Sequence, residues 1–143
     1  VENEYVDMVV DNKYRGVTLK KAWTIDARGI SAMISSFTAA IIATFSGFDV
    51  LHFHAEGPCA MLWIPKLFGK RCIATVHALD HQRAKWGKFA RMYIMMGEKC
   101  AVKFADEIIV LKSGKVAKVG TPREILFDND LLKSSIIIRK LIR

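Results

Sequence analysis

Cysteine is scarce in this chain, and its pattern excludes two classes at once. Cys59, Cys72 and Cys100 are odd in number and widely spaced, which fits neither a paired disulfide framework nor a CxxC metal site. A reducing, cytoplasmic compartment is expected from such usage. The phosphate loops GxGxxG and GxxxxGKS/T are missing, so the residues carry no nucleotide fingerprint of their own. Internal repeats and low-complexity tracts are lacking too. The sequence opens on VENEY, without a basic-then-apolar leader, and reads as an internal cut rather than a signal peptide.

Acids are also in deficit. Against 14 Asp and Glu stand 22 Lys and Arg, a formal charge of +8 over 143 residues. A chain of that length makes about one domain with a real core, and its charge favours an anionic partner. The excess is local: from Pro65 to Lys115 there are 11 Lys and Arg and 4 acids. One stretch, Gly29 to Phe48, has no charged side chain and approaches the length of a membrane span. Its six Ser and Thr residues and the shared face of Ile30, Met33, Ile34, Phe37, Ile41 and Phe45 point instead to a helix packed on a sheet.

Two short apolar runs organise the rest. DVLHFH, Asp49 to His54, and CIATVH, Cys72 to His77, read as parallel strands buried on both faces, each ending in histidine. Tyr5 to Val10 is expected as a first strand and Asp11 to Gly16 as a turn. Val17 to Trp23 is expected as a second strand near the sheet edge. A helix follows from about Ile30 to Phe45, stopped by Gly47. Gly57 and Pro58 open another, which runs to Phe68 with a kink or shortening at Pro65. LDHQRAKWG, Leu79 to Gly87, is a polar loop. Lys88 to Phe104 is a long helix with Phe89, Met92, Tyr93, Met96, Cys100 and Phe104 at helical spacing, and Met95 and Met96 are read as core filler. Glu107 to Leu111 is the fifth strand, Ser113 and Gly114 a hairpin turn, and Thr121 to Glu124, TPRE, a capping box. Leu131 to Arg143 mixes apolar residues with bases.

In open α/β sheets ligands bind at the carboxyl ends of strands, which singles out His54, Glu56, His77 and Asp80. Imidazole there can donate to an oxyanion, take a proton, or merely satisfy a carbonyl. Arg83 and Lys85 beside Trp86 can hold a phosphate or stack a ring, or form a solvated basic loop. His52 and His54 are read as pointing to opposite faces of their strand, and no metal site is expected.

The segment from DVLHFHAEGP through TVHALDHQRAKWGKFA to ADEIIVL resembles the N-terminal domain of family 4 glycosyltransferases of the GT-B fold. The resemblance is notably to rhamnosyl- or glucosyltransferase-like proteins of polysaccharide assembly and covers roughly Lys13 to Leu111. The resemblance implies half of a GT-B fold that binds a glycan or glycolipid acceptor, while a second domain holds the nucleotide sugar. It implies that Glu56, His77, Asp80 and Arg83 face the interdomain cleft. His77 would lie beside the transferred sugar, with Asp80 as its catalytic companion, in a reaction that retains anomeric configuration. His54, Glu56, Arg83, Lys85 and Trp86 would serve the acceptor side. Ala78 stands where the family's block has glycine. The family's opening strand with its Gly-rich loop, and the donor domain with its paired glutamates, are not in these residues, so activity of this chain alone is not expected. No cofactor is implied, only the donor sugar.

Ala105 to Arg143 resembles a different family, the C-terminal end of ABC transporter ATPases of the cobalt or energy-coupling type. There a strand, a hairpin and a TPREI helix follow the switch histidine; the Walker and signature motifs are not present here. The expected class is therefore α/β, a Rossmann-like parallel sheet flanked by helices, with a hairpin and helix tail. Residues 1–111 form the glycosyltransferase-like part and 112–143 the ABC-like tail, as in a chimeric frame. The rival readings are a non-catalytic remnant that binds anionic glycolipid or the inner membrane face through Arg83 to Lys103, and, third, a fragment related to an ABC transporter ATPase; nucleic acid is not expected as partner.

Overall fold

In a computed structural model of the chain, residues 13–27, 30–77 and 87–128 are described. Their elements in order are β1 (Lys13–Tyr14), β2 (Val17–Thr18), α1 (Ser31–Thr44), β3 (Val50–His54), α2 (Glu56–Cys59), α3 (Trp63–Leu67), β4 (Arg71–Val76), α4 (Lys88–Phe104), β5 (Glu107–Lys112), β6 (Lys115–Gly120) and α5 (Pro122–Leu126). The expected strand at Tyr5 to Val10, the segment Leu79 to Trp86 and the ending Leu131 to Arg143 lie outside the described residues.

The class is α/β, as expected. The main sheet has the order β3-β4-β5-β6. β3 and β4 pair in parallel with Leu51 opposite Cys72 and Phe53 opposite Ala74. β4 and β5 are also parallel, and β6 returns antiparallel to β5. Parallel neighbours need a helical crossover, which α2 and α3 supply for the first pair and α4 for the second. Along one sheet face Cys72, Ala74 and Ile108 join Cys59, Leu62, Ala101, Ala105 and Ile125 in a single buried cluster. Each fully buried aliphatic chain there contributes about 2 kcal/mol.

The second expected strand shrinks to Val17–Thr18 and leaves the main sheet. It pairs with Lys13–Tyr14 instead, because Arg15 and Gly16 both take positive φ, 48° and 83°, the geometry of a tight two-residue hairpin turn. The main sheet does not reach it, and Val17 and Trp23 stay exposed.

Helix α1 forms where expected, and Gly47 follows it with a φ of +76°. Its large apolar residues do not make the buried face: Ile30, Phe37 and Phe45 are exposed, and the buried side chains are Ala40 and Thr44. Small residues one turn apart let the helix approach Ala60, Met61 and Ile64 closely, with Met33 and Ile41 packed alongside. The Thr44 hydroxyl donates back to the Ala40 carbonyl at 2.7 Å. Among the described residues no helix is long and apolar enough to cross a membrane.

The helix expected from Gly57 to Phe68 is two short pieces. Pro65 sits third in the second piece, within the first turn, where its missing N–H costs nothing. Helix α4 lies directly on α2. An added Cβ at Gly97 would come within 1.7 Å of the Glu56 carbonyl oxygen, so only glycine allows this backbone approach. Farther on, Ser113 and Gly114 take φ of 51° and 75° in the β5–β6 turn. The TPRE segment forms its capping box at the start of α5.

Candidate functional site

The site is built from the tips of β3 and β4. The register puts His54 opposite Thr75, so β3 ends level with the penultimate residue of β4, and His77 directly follows the last residue, Val76. The ring centroids of His54 and His77 lie 6.1 Å apart, and both side chains are exposed. Two exposed imidazoles from neighbouring strands therefore stand side by side at the strand tips, each able to exchange a hydrogen bond with a hydroxyl or an oxyanion.

A third histidine belongs to the cluster. Residues two apart on a strand share a face, so His52 and His54 point the same way and their rings are 4.4 Å apart. This corrects the opposite-face reading. His52 Nε2 and the buried Thr75 Oγ1 form a hydrogen bond of 2.7 Å. Partial burial, and then the neighbouring His54, hold the His52 imidazole below its ordinary pKa. Among the described residues no group of three His, Cys, Asp or Glu side chains is arranged to hold a metal.

The turn after β3 is strained. Ala55 takes φ 69° and ψ 160°, a region in which a Cβ is disfavoured, and strain of this kind clusters at functional sites. Its N–H donates to the Thr75 carbonyl at 3.0 Å, which extends the ladder by one bond and holds the turn. The consequence is a switch of direction between neighbours. His54 faces outward, while Glu56 is 1% exposed at the start of α2. Asp80, Arg83, Lys85 and Trp86 lie outside the described residues, as does Ala78.

A cleft of about 550 Å³ runs along the outer edge of β3 against α1. Ser35 and Ser36 line one wall and His52 and His54 the other, with Ala39, Phe48 and further apolar residues below. Hydroxyls and imidazoles over an apolar floor suit a ligand that has both hydroxyl groups and an apolar face. Sequence reading missed His52, Ser35 and Ser36 as lining residues. The period-two rule applied to His52 and His54 would have found the first; the two serines enter only because α1 packs beside the sheet edge.

The cysteines are no part of this site. Burial pushes the Cys59 thiol up to about 12, reinforced by Glu56 and Cys100, and the Cys72 thiol to about 11. Neither is poised as a nucleophile.

No protein family's pattern matches the chain, and no solved structure does. In one comparison 74 residues, 52% of this chain, are 35% identical to the energy-coupling factor transporter ATP-binding protein EcfA2 of Spiroplasma kunkelii. The chain spans 18% of that protein's length. The match supports the likeness read in the tail, and it is longer than the tail from Ala105 to Arg143. In a chain of 143 residues every stretch of 74 includes residues 70–74, so the likeness reaches the beginning of β4.

Proposed function

We propose that this chain is the acceptor-binding half of a retaining GT-B glycosyltransferase of the family 4 type. Its partner half would hold the nucleotide sugar, and the acceptor would be a glycan or glycolipid. The observation that carries this reading is the pair of parallel strand tips with His54 and His77 6.1 Å apart, beside a cleft lined by Ser35, Ser36, His52 and His54. A sugar presents hydroxyls at its edge and C–H groups on its face, and the cleft offers hydroxyl, imidazole and apolar surface to match. In this reading His77 stands beside the transferred sugar with Asp80, and Arg83, Lys85 and Trp86 serve the charged and ring-stacking side of the acceptor. Those last four roles rest on the sequence resemblance alone.

The test is a titration of the 143-residue chain with a short-chain lipid-linked saccharide, followed by the histidine ring resonances. Perturbation of His54 and His77 is expected, and in His77→Ala the affinity read at His54 should weaken about tenfold, given one lost hydrogen bond to a bound polar group. Unmoved histidine resonances at saturating saccharide would sink the reading.

A second reading has its own support, the 35% identity to a transporter ATP-binding protein together with the β5–β6 hairpin and the capped α5. The chain would then be a segment of such a subunit, without ATPase activity of its own because the Walker and signature motifs are not in it. Perturbation of His77 by magnesium ATP, with none by saccharide, would reverse the ranking.

A further inference from the structure

We infer that the outward face of α4 is a docking surface for an anionic lipid bilayer. The sequence reads Met95 and Met96 of α4 as core filler. Instead Phe89 is 54% exposed, Met92 63%, Met95 41% and Met96 45%. The other exposed positions of the helix are Lys88, Arg91, Lys99 and Lys103. Every outward residue of this 17-residue helix is thus a base or a bulky apolar side chain. Its one acid, Glu98, is 6% exposed and turned inward.

The combination selects the occupant. Exposed thioethers and a phenyl ring gain by leaving water, and long basic side chains can bury their stems while their heads meet phosphate. A second copy of the helix would set four bases against four. Nucleic acid would use the bases but gain little from methionines, which neither stack well nor hydrogen-bond to base edges. An anionic bilayer satisfies both kinds of residue along a face about 25 Å long. The helix returns from the carboxyl end of β4, and its packing on α2 at Gly97 and Glu56 fixes the docked face relative to the strand tips. The inference does not depend on sugar transfer, since it rests on the helix face and is read by a measurement blind to the histidines.

Sedimentation of the whole chain with phosphatidylglycerol–phosphatidylcholine vesicles, against phosphatidylcholine alone, tests it. The chain should partition to the anionic vesicles, and less so as salt is raised. Lys99→Glu with Lys103→Glu should lower the partition at least about tenfold. Met92→Ser with Met96→Ser should lower it by about tenfold and leave the salt dependence in place. Far-UV circular dichroism of both variants should match the parent, because every changed side chain is exposed. Equal binding to neutral and anionic vesicles, no binding to either, or variants that bind like the parent would each overturn the proposal. So would a salt-dependent complex with duplex RNA, or a dimer lost in Met92→Ser with Met96→Ser, formed in place of vesicle binding.

Discussion

Ala55 is the residue at which strain, direction and candidate chemistry meet. At φ 69° its Cβ works against the backbone, and the turn it makes sends His54 out and Glu56 in. Removing that Cβ relieves about 1–3 kcal/mol, while glycine's extra freedom in the unfolded chain takes back about 0.5–1. Ala55→Gly should therefore raise the urea midpoint slightly; a drop would mean that the methyl group packs usefully. Asp106 presents the opposite case, a residue whose worth is electrostatic. Desolvation alone would raise its pKa, but the 2.8 Å bond from Lys66, the Cys72 N–H at 2.7 Å and the Arg71 charge bring it below the ordinary 3.8. Because the folded value is depressed, the ionised carboxylate's stabilisation is full above 3.8 and is lost as pH falls through the lowered value. Thermal melts of Asp106→Asn should accordingly lie below the parent at neutral pH, and the two should converge at strongly acid pH. Parallel curves would remove charge from the explanation. The buried thiols give a chemical check: at neutral pH Cys59 and Cys72 should resist iodoacetamide in the folded chain and react on unfolding.

Among the elements, those that are locally self-sufficient follow the expected boundaries. Helix α4 occupies Lys88–Phe104, as its spacing predicts, and the TPRE box forms with Thr121 and Glu124 bonded both ways. The Thr121 N–H and hydroxyl also hold the exposed Glu124 carboxylate below its ordinary pKa. Thr121→Ala should lower stability by about 1 kcal/mol, read from the shift in urea midpoint without change in slope; no shift would leave α5 held by Ile125 alone. Elements that depend on a neighbour depart from expectation. The fully buried α1 residues are Ala40 and Thr44, with Met33 and Ile41 only partly covered beside them, because close helix approach rewards small side chains. The methionines of α4 are outside because its inner face is already occupied by Tyr93, Ile94, Gly97, Glu98 and Ala101. Gly97→Ala should be the most damaging small substitution in the described chain. A Cβ 1.7 Å from the Glu56 carbonyl oxygen forces α4 off α2, at a cost of about 3 kcal/mol or more. A near-parental urea midpoint would show that the helices can part freely.

For the molecule as a whole, one sheet carries every part that the two resemblances divide. β6 pairs with β5, and Ile125 of α5 enters the same cluster as Cys72 and Ala74. The apolar runs ending in His54 and His77, the turn residues and the caps fix the α/β class and the places of β3, β4, α4 and β5 along the chain, because periodicity and backbone preference act over a few residues and need no partner. The net charge of +8 likewise follows from composition alone. Tertiary packing decided the rest. Which face of α1 is buried, which side of α4 meets water, and how close two imidazoles come are all set by contacts between residues distant in the chain. No local pattern contains those distances, and they exist only once β3 lies beside β4 and α4 beside α2.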